Sequence, residues 1–247
     1  MTSADALTRF GAALTGVMNA LDWEQLGSVY CEGDAAEFFD AERRQSLIDT
    51  GLELADGIAG QLYGRSTERS LYVGAAVAEL APILAERLVL GREVTWLNLP
   101  GAERDELARA LREVSAQLGI DLPAPSVAPL ESVVPASCDH VWLVSVLTDP
   151  DTFPALHDEL YERRGTEHAT GRGNLVDERA RATELAQAVL ARAARSCLLS
   201  TTEEELDFMR PLLAPARRRV RPLAEGPLTA LVGDRVLWLR LTQRDAR

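Results

Sequence analysis

Residues 228–241 hold two apolar runs separated by one dipeptide: Leu228-Thr-Ala-Leu-Val232, then Gly233-Asp234, then Arg235-Val-Leu-Trp-Leu-Arg-Leu241. Gly-Asp is turn-forming, and no helix fits between the runs, so they are expected to pair antiparallel through a two-residue turn. Upstream, from residue 70, strand-like and helical patterns alternate, which argues βαβ units and a parallel sheet. Strands are expected at 70–73, 93–99, 127–134, 140–147 and 197–200. The run at 140–147 is the most apolar and therefore central, buried on both faces; the one at 127–134 is weakest, lying among prolines. Val77, Leu80, Leu84 and Leu88 form one helical stripe, stopped by Gly91. Leu107, Leu111, Val114 and Leu118 form another, with Gly119 placed as its C′ residue. Further helices are expected at about 175–195 and around Leu206, Met209 and Leu213. A mostly parallel sheet closed by an antiparallel hairpin is a narrow topological description.

The first third reads as helical. Leu7, Phe10, Leu14, Val17 and Leu21 recur at three and four residues, behind Thr2 and Asp5 in capping-box spacing. A short helix follows Asp22, and Asp34 with Glu37 opens a longer segment carrying Phe38, Leu47, Ile48, Leu52, Ile58 and Leu62. The expected division is a helical extension over 1–65 and an α/β unit over 66–247. Tyr30, Glu32 and Phe38-Phe39 are placed either to wall a small-molecule pocket or to fill the core.

Composition narrows the function classes. The 247 residues carry 38 acidic against 26 basic side chains, a net charge of −12, which repels phosphate backbones and anionic lipid surfaces. Nucleic acid is excluded as the expected partner, and Arg217-Arg-Arg219 with Arg221 reads as a solvated edge. Although 47% of residues are hydrophobic, no apolar run reaches the ~18 residues of a membrane span. The acidic start, without a basic n-region, points to a cytoplasmic protein. Cys31, Cys138 and Cys197 have neither disulfide nor zinc spacing, and Cys138 and Cys197 read as small buried hydrophobes. No metal site is expected.

Three local patterns carry a resemblance. Leu71-Tyr-Val-Gly-Ala-Ala-Val-Ala-Glu-Leu80 is a strand breaking at a glycine into a helix, the arrangement by which nucleotide cofactors are received. Val94-Thr-Trp-Leu-Asn-Leu-Pro100 follows as a second strand, and Cys138-Asp-His-Val-Trp-Leu-Val-Ser-Val-Leu-Thr-Asp-Pro-Asp151 as an apolar strand running into a helix. With the terminal hairpin, the chain from about 66 to 242 resembles the class I S-adenosylmethionine-dependent methyltransferases. That resemblance implies an α/β, Rossmann-like, mostly parallel seven-stranded sheet ending in an antiparallel hairpin, with S-adenosylmethionine as cofactor. It also implies a cleft at the C-terminal ends of the first, second and fourth strands, lined by Gly74, Ala75, Asn98, Leu99 and Val146.

The departures fall at cofactor positions. Tyr72 stands where the family's first motif has its acid, Ala76 and Ala78 where it has glycines, and Asn98 where the ribose-binding acid belongs. Asn98 still donates and accepts hydrogen bonds but brings no carboxylate. Glu131, near the end of the third expected strand, is the candidate receiver of the adenine amino group. A Tyr72 ring filling the cleft would exclude an enzyme.

Methyl transfer depends on positioning and at most one general base. His140, at the far end of the apolar strand, is expected to be structural, and His157 to lie on a helix surface. His168 sits in the Gly-rich insertion Gly165-Thr-Glu-His-Ala-Thr-Gly-Arg-Gly173, where a family member would place a lid, and is the candidate base. Three functions follow: a methyltransferase acting on a small molecule; a methyltransferase-like scaffold or regulatory partner that has lost the cofactor; or an enzyme transferring the aminocarboxypropyl group instead. A homodimer or a protein partner is left open.

Overall fold

The computed structural model describes residues 3–31, 34–62 and 68–243. Four helices come first: α1 (Ser3–Ala20), α2 (Trp23–Tyr30), α3 (Ala35–Phe38) and α4 (Ala41–Leu62). The expected long segment after Asp34 is thus two helices, broken at Phe39 and Asp40. The α/β part runs β1 (Arg69–Val73), α5 (Leu80–Leu88), β2 (Glu93–Leu97), α6 (Ala102–Leu118), β3 (Cys138–Leu143), α7 (Pro154–Leu160), α8 (Leu175–Arg192), β4 (Ala193–Thr201), α9 (Glu203–Leu213), β5 (Arg218–Leu228) and β6 (Arg235–Gln243). The Thr2 cap and Glu32 lie outside the described residues.

The strand order is β2-β1-β3-β4-β6-β5, with β1 to β4 parallel and the last two strands antiparallel. Among the described residues the sheet therefore has six strands, not seven. The missing one is the strand expected at 127–134. There only Ser126 bridges Leu97, and a 3₁₀ turn at Leu130–Ser132 follows; the prolines remove the amide donors that a ladder needs. The hairpin is antiparallel as expected, but its first strand is Arg218–Leu228 and the loop spans 229–234, so the two-residue turn is corrected. Arg218, Arg219 and Arg221 of the arginine cluster lie on β5, an edge strand, where charge and proline are tolerated, and Arg217 is in the turn before it. One of its members is buried: Arg218 donates from Nη1 to the Ala194 carbonyl at 2.6 Å, beside the C-terminus of α8.

Each sheet face has its own core. On one, the register aligns Trp96, Tyr72, Trp142, Ser200 and Trp238 in a row across five strands, covered by α1, α2, α4, α5 and α6. Gly57 of α4 makes room for this row, because a Cβ there would stand 2.0 Å from Trp238 Cη2. The other face, Leu71, Val141, Leu199 and Leu239, packs under α7, α8 and α9. Helix α6 ends as expected, with Gly119 at φ +62° and its amide on the Ser115 carbonyl. No helix among the described residues is long and apolar enough to cross a membrane.

Candidate functional site

A cavity of about 470 Å³ opens at the C-terminal ends of β1, β2 and β3. One flank comes from the end of β2 and residues 127–130, the other from the β3–α7 connection and α8. Four of the residues expected there, Gly74, Asn98, Leu99 and Val146, line it. Gly74 turns the chain at φ +68°, and a Cβ on it would stand 2.7 Å from Val146 Cγ2.

Ala75 is buried beside the cavity rather than in its lining. Its carbonyl accepts from Trp96 Nε1 at 2.9 Å and from Asn98 Nδ2 at 3.0 Å. Asn98 Oδ1 accepts the Leu99 amide at 2.8 Å, so both ends of the Asn98 side chain already serve the loop. The next two amides are also taken. Ala76 N–H donates to Glu79 Oε2 at 2.7 Å, and Val77 N–H to Glu103 Oε1 at 3.0 Å, which also accepts the Tyr30 hydroxyl at 2.6 Å. Burial pushes the Glu79 carboxyl up to about 7 and raises Glu103. Burial and the neighbouring Glu103 hold the Tyr30 phenol well above its ordinary value. Phe38 stacks on Tyr30 with ring centroids 5.6 Å apart.

The β3–α7 connection is held by two acids distant in sequence. Glu205 Oε1, in the first turn of α9, accepts the amides of Val146 at 2.6 Å and Leu147 at 2.7 Å. Its Oε2 accepts Thr201 Oγ1 at 3.0 Å. Burial outweighs these donors and raises Glu205 to about 7. Asp234, in the β5–β6 loop, accepts Ser145 Oγ at 2.8 Å and the Tyr161 hydroxyl at 2.6 Å. Ser145 lines the cavity at φ +58°, a conformation a serine holds only where its surroundings impose it. Asp149 is the one charged residue of the lining; its carboxylate accepts the Asp151 amide at 3.1 Å and the Thr152 hydroxyl. The expected helix start at Thr148-Asp-Pro-Asp151 is therefore a turn, and α7 begins at Pro154.

Three expected site residues are elsewhere. Tyr72 does not enter the cavity; its ring is fully buried between His140 and Trp142 and its hydroxyl donates to Glu86 Oε1 at 2.6 Å. Glu131 is exposed in the 3₁₀ turn, and its neighbour Leu130 takes the place in the lining. His168 is exposed and faces Glu167 at 3.6 Å. Its loop is tied down instead through Thr170, whose amide and hydroxyl both reach Asp158 at 2.8 Å. His157 is buried, contrary to the surface expectation, with Nδ1 2.6 Å from the Thr148 carbonyl. Among the described residues no group of three or more His, Cys, Asp or Glu is placed to hold a metal ion.

At the opposite end of the sheet, His140 Nδ1 lies 2.7 Å from Glu86 Oε1 and its Nε2 3.0 Å from Ser200 Oγ. A serine, a histidine and a carboxylate in that order have the make-up of a nucleophilic triad, yet all three are fully buried and meet no substrate. Arg92 completes the cluster, donating from Nε to Glu86 at 3.0 Å and pairing with Asp139. Burial alone would raise Glu86, but His140, Ser70 and Tyr72 hold its carboxyl below the ordinary value. The sequence signals for Glu205, Asp234 and Asp149 are slight: an acid in a capped first turn, and acids in two turns.

No family model and no curated relative matches the sequence. Similar solved structures include PH0851, with a TM-score of 0.49 and 13% identity over 77% of this chain and 46% of that one. P. horikoshii TYW2 in complex with MeSAdo gives a TM-score of 0.48 and 12% identity, covering 85% of this chain and 67% of that one. A SAM dependent methyltransferase from Aquifex aeolicus gives 0.45 and 10%, covering 82% and 98%. The chain thus spans about half the length of PH0851, and at these similarities its function has to be argued from its own residues.

Proposed function

We propose that the cavity receives the adenosyl part of S-adenosylmethionine and that the protein transfers the methyl group to a small molecule. The observation that carries this reading is the cavity's place. It lies where the chain leaves β1 for β2 on one side and β3 on the other, the topological switch point at which open α/β sheets bind ligands. Its apolar flanks suit a planar base, with Leu99 and Val127 on the β2 side and Val146 and Phe153 on the β3 side. Gly74 keeps the turn tight, and Glu205 and Asp234 fix the facing loop so that the two flanks are preorganised.

The cofactor, when bound, supplies a methyl group activated on a sulfonium. The protein supplies position and a wall against water. Asp149 is the one titratable side chain of the lining, so a proton lost by the acceptor has Asp149 as its receiver inside the cavity. The net charge of −12 and the cavity's volume of about 470 Å³ both favour a small acceptor over a polynucleotide.

A second reading, a relative that has lost the cofactor and serves as a scaffold, has one observation in its favour: the Asn98 amide and the Ala76 and Val77 amides are already engaged within the protein. Calorimetric titration with S-adenosylhomocysteine separates the two. Micromolar affinity supports the transferase; no heat and no thermal stabilisation at millimolar ligand leaves the scaffold.

A further inference from the structure

The cavity's charge is one-sided. Asp149 is its only charged lining residue, no arginine or histidine lines it, and the whole chain contains no lysine. Asp149 does not act alone. Glu103 accepts the Tyr30 hydroxyl and the Val77 amide, and Glu79 accepts the Ala76 amide. Two further carboxylates, one from the turn before α5 and one from α6, therefore stand at the turn that follows Gly74.

The ordinary means of holding an anion beside such a turn is the set of free amides that opens the following helix. Here those amides are spent on the protein's own acids, Ala76 on Glu79 and Val77 on Glu103. A ligand carboxylate or phosphate would have to displace a buried glutamate to reach them, and would then sit among like charges.

We propose that this cavity selects its adenosyl ligand by positive charge and offers a carboxylate no partner. S-adenosylmethionine is held through its sulfonium and ammonium groups while its carboxylate stays in solvent. The proposal rests on the adenosyl reading above and adds to it the rule by which ligands are discriminated. It also has a consequence for turnover: loss of the sulfonium charge on methyl transfer loosens the product.

The test is calorimetric titration of the intact protein at pH 8 and low salt with four probes: decarboxylated S-adenosylmethionine, S-adenosylmethionine, S-adenosylhomocysteine and adenosine 5′-monophosphate. The expected affinities fall in that order. Each step between the first three is about threefold or more, the size of one partly screened charge interaction, and the monophosphate gives no heat. Asp149→Asn, with its fold checked by thermal unfolding, narrows the ratio between S-adenosylmethionine and S-adenosylhomocysteine. Decarboxylated ligand binding tenfold more weakly than S-adenosylmethionine, or a ratio unmoved by Asp149→Asn, overturns charge selection while leaving the adenosyl site intact. Silence from all four probes overturns the adenosyl site itself, and charge selection with it.

Discussion

Val146 Cγ2 stands 2.7 Å from the point a Cβ on Gly74 would occupy, so the turn after β1 and the loop after β3 are fitted to each other across the cavity. Gly74→Ala therefore meets two penalties. The left-handed φ costs about 1–2 kcal/mol, and the clash with Val146 adds an overpacking cost of about 1–3 kcal/mol. In a double-mutant cycle followed by urea unfolding, adding Val146→Ala recovers the second part and leaves the first. Strictly additive losses would show that the two loops do not touch.

Gly57 and Gly60 lie on the same helix and should respond oppositely. A Cβ at Gly57 would meet the Trp238 ring at 2.0 Å, whereas at Gly60 nothing lies within 4 Å. Gly57→Ala is expected to lower stability by about 1–3 kcal/mol through overpacking, and Gly60→Ala to raise it by about 0.5 kcal/mol through helix propensity. Denaturant midpoints of the two variants check both signs, and with them the seating of α4 on the aromatic row.

Arg92 is the cation of a buried cluster, paired with both Glu86 and Asp139. Arg92→Met keeps the bulk and removes the charge, leaving two buried carboxylates short of their partner at a cost of about 3–5 kcal/mol. Urea unfolding measures it, and a loss below about 1 kcal/mol would mean that the carboxylates simply take up protons.

Stability should fall as pH rises from 5 to 8. Glu79 and Glu205 are raised from 4.5 to about 7 in the folded protein. Between those values the folded state binds more protons than the unfolded one, so each group loses up to about 3 kcal/mol of stability as pH climbs through the window. Glu86, held low, works the other way and withdraws its contribution only as the solution becomes acidic. Thermal unfolding midpoints across this range should decline. Glu205→Gln, which retains an acceptor for Val146 and Leu147, should flatten the decline; an unchanged slope would place the titration elsewhere.

Much of the fold is legible in the chain because it is written in short-range periods. The alternation after residue 70 announces the parallel strands, Gly119 closes its helix at positive φ, and the final two strands pair antiparallel because no helix separates them. The departures have physical causes. Residues 127–134 look strand-like in side-chain type, but proline denies them a ladder. Periodicity places β5 too late because Arg-Arg-Val-Arg-Pro has no apolar alternation to mark it as a strand, while an edge strand accepts such residues. Of the site, the residues nearest the turn, Gly74, Asn98, Leu99 and Val146, follow from their place at strand ends. Tyr72 differs from its expected place by one step of the pleat, since its side chain leaves the strand on the face that carries the aromatic row.

The sequence by itself determined the four parallel strands, most of the helices, and that the last pair must run antiparallel, because these follow from spacings of two to four residues. Only the tertiary structure decided which acid serves which buried donor. Glu205 reaches Val146 across 59 positions and Asp234 reaches Ser145 across 89; no local period encodes such a meeting. It arises when two packed layers bring loop ends together and each buried donor must find an acceptor.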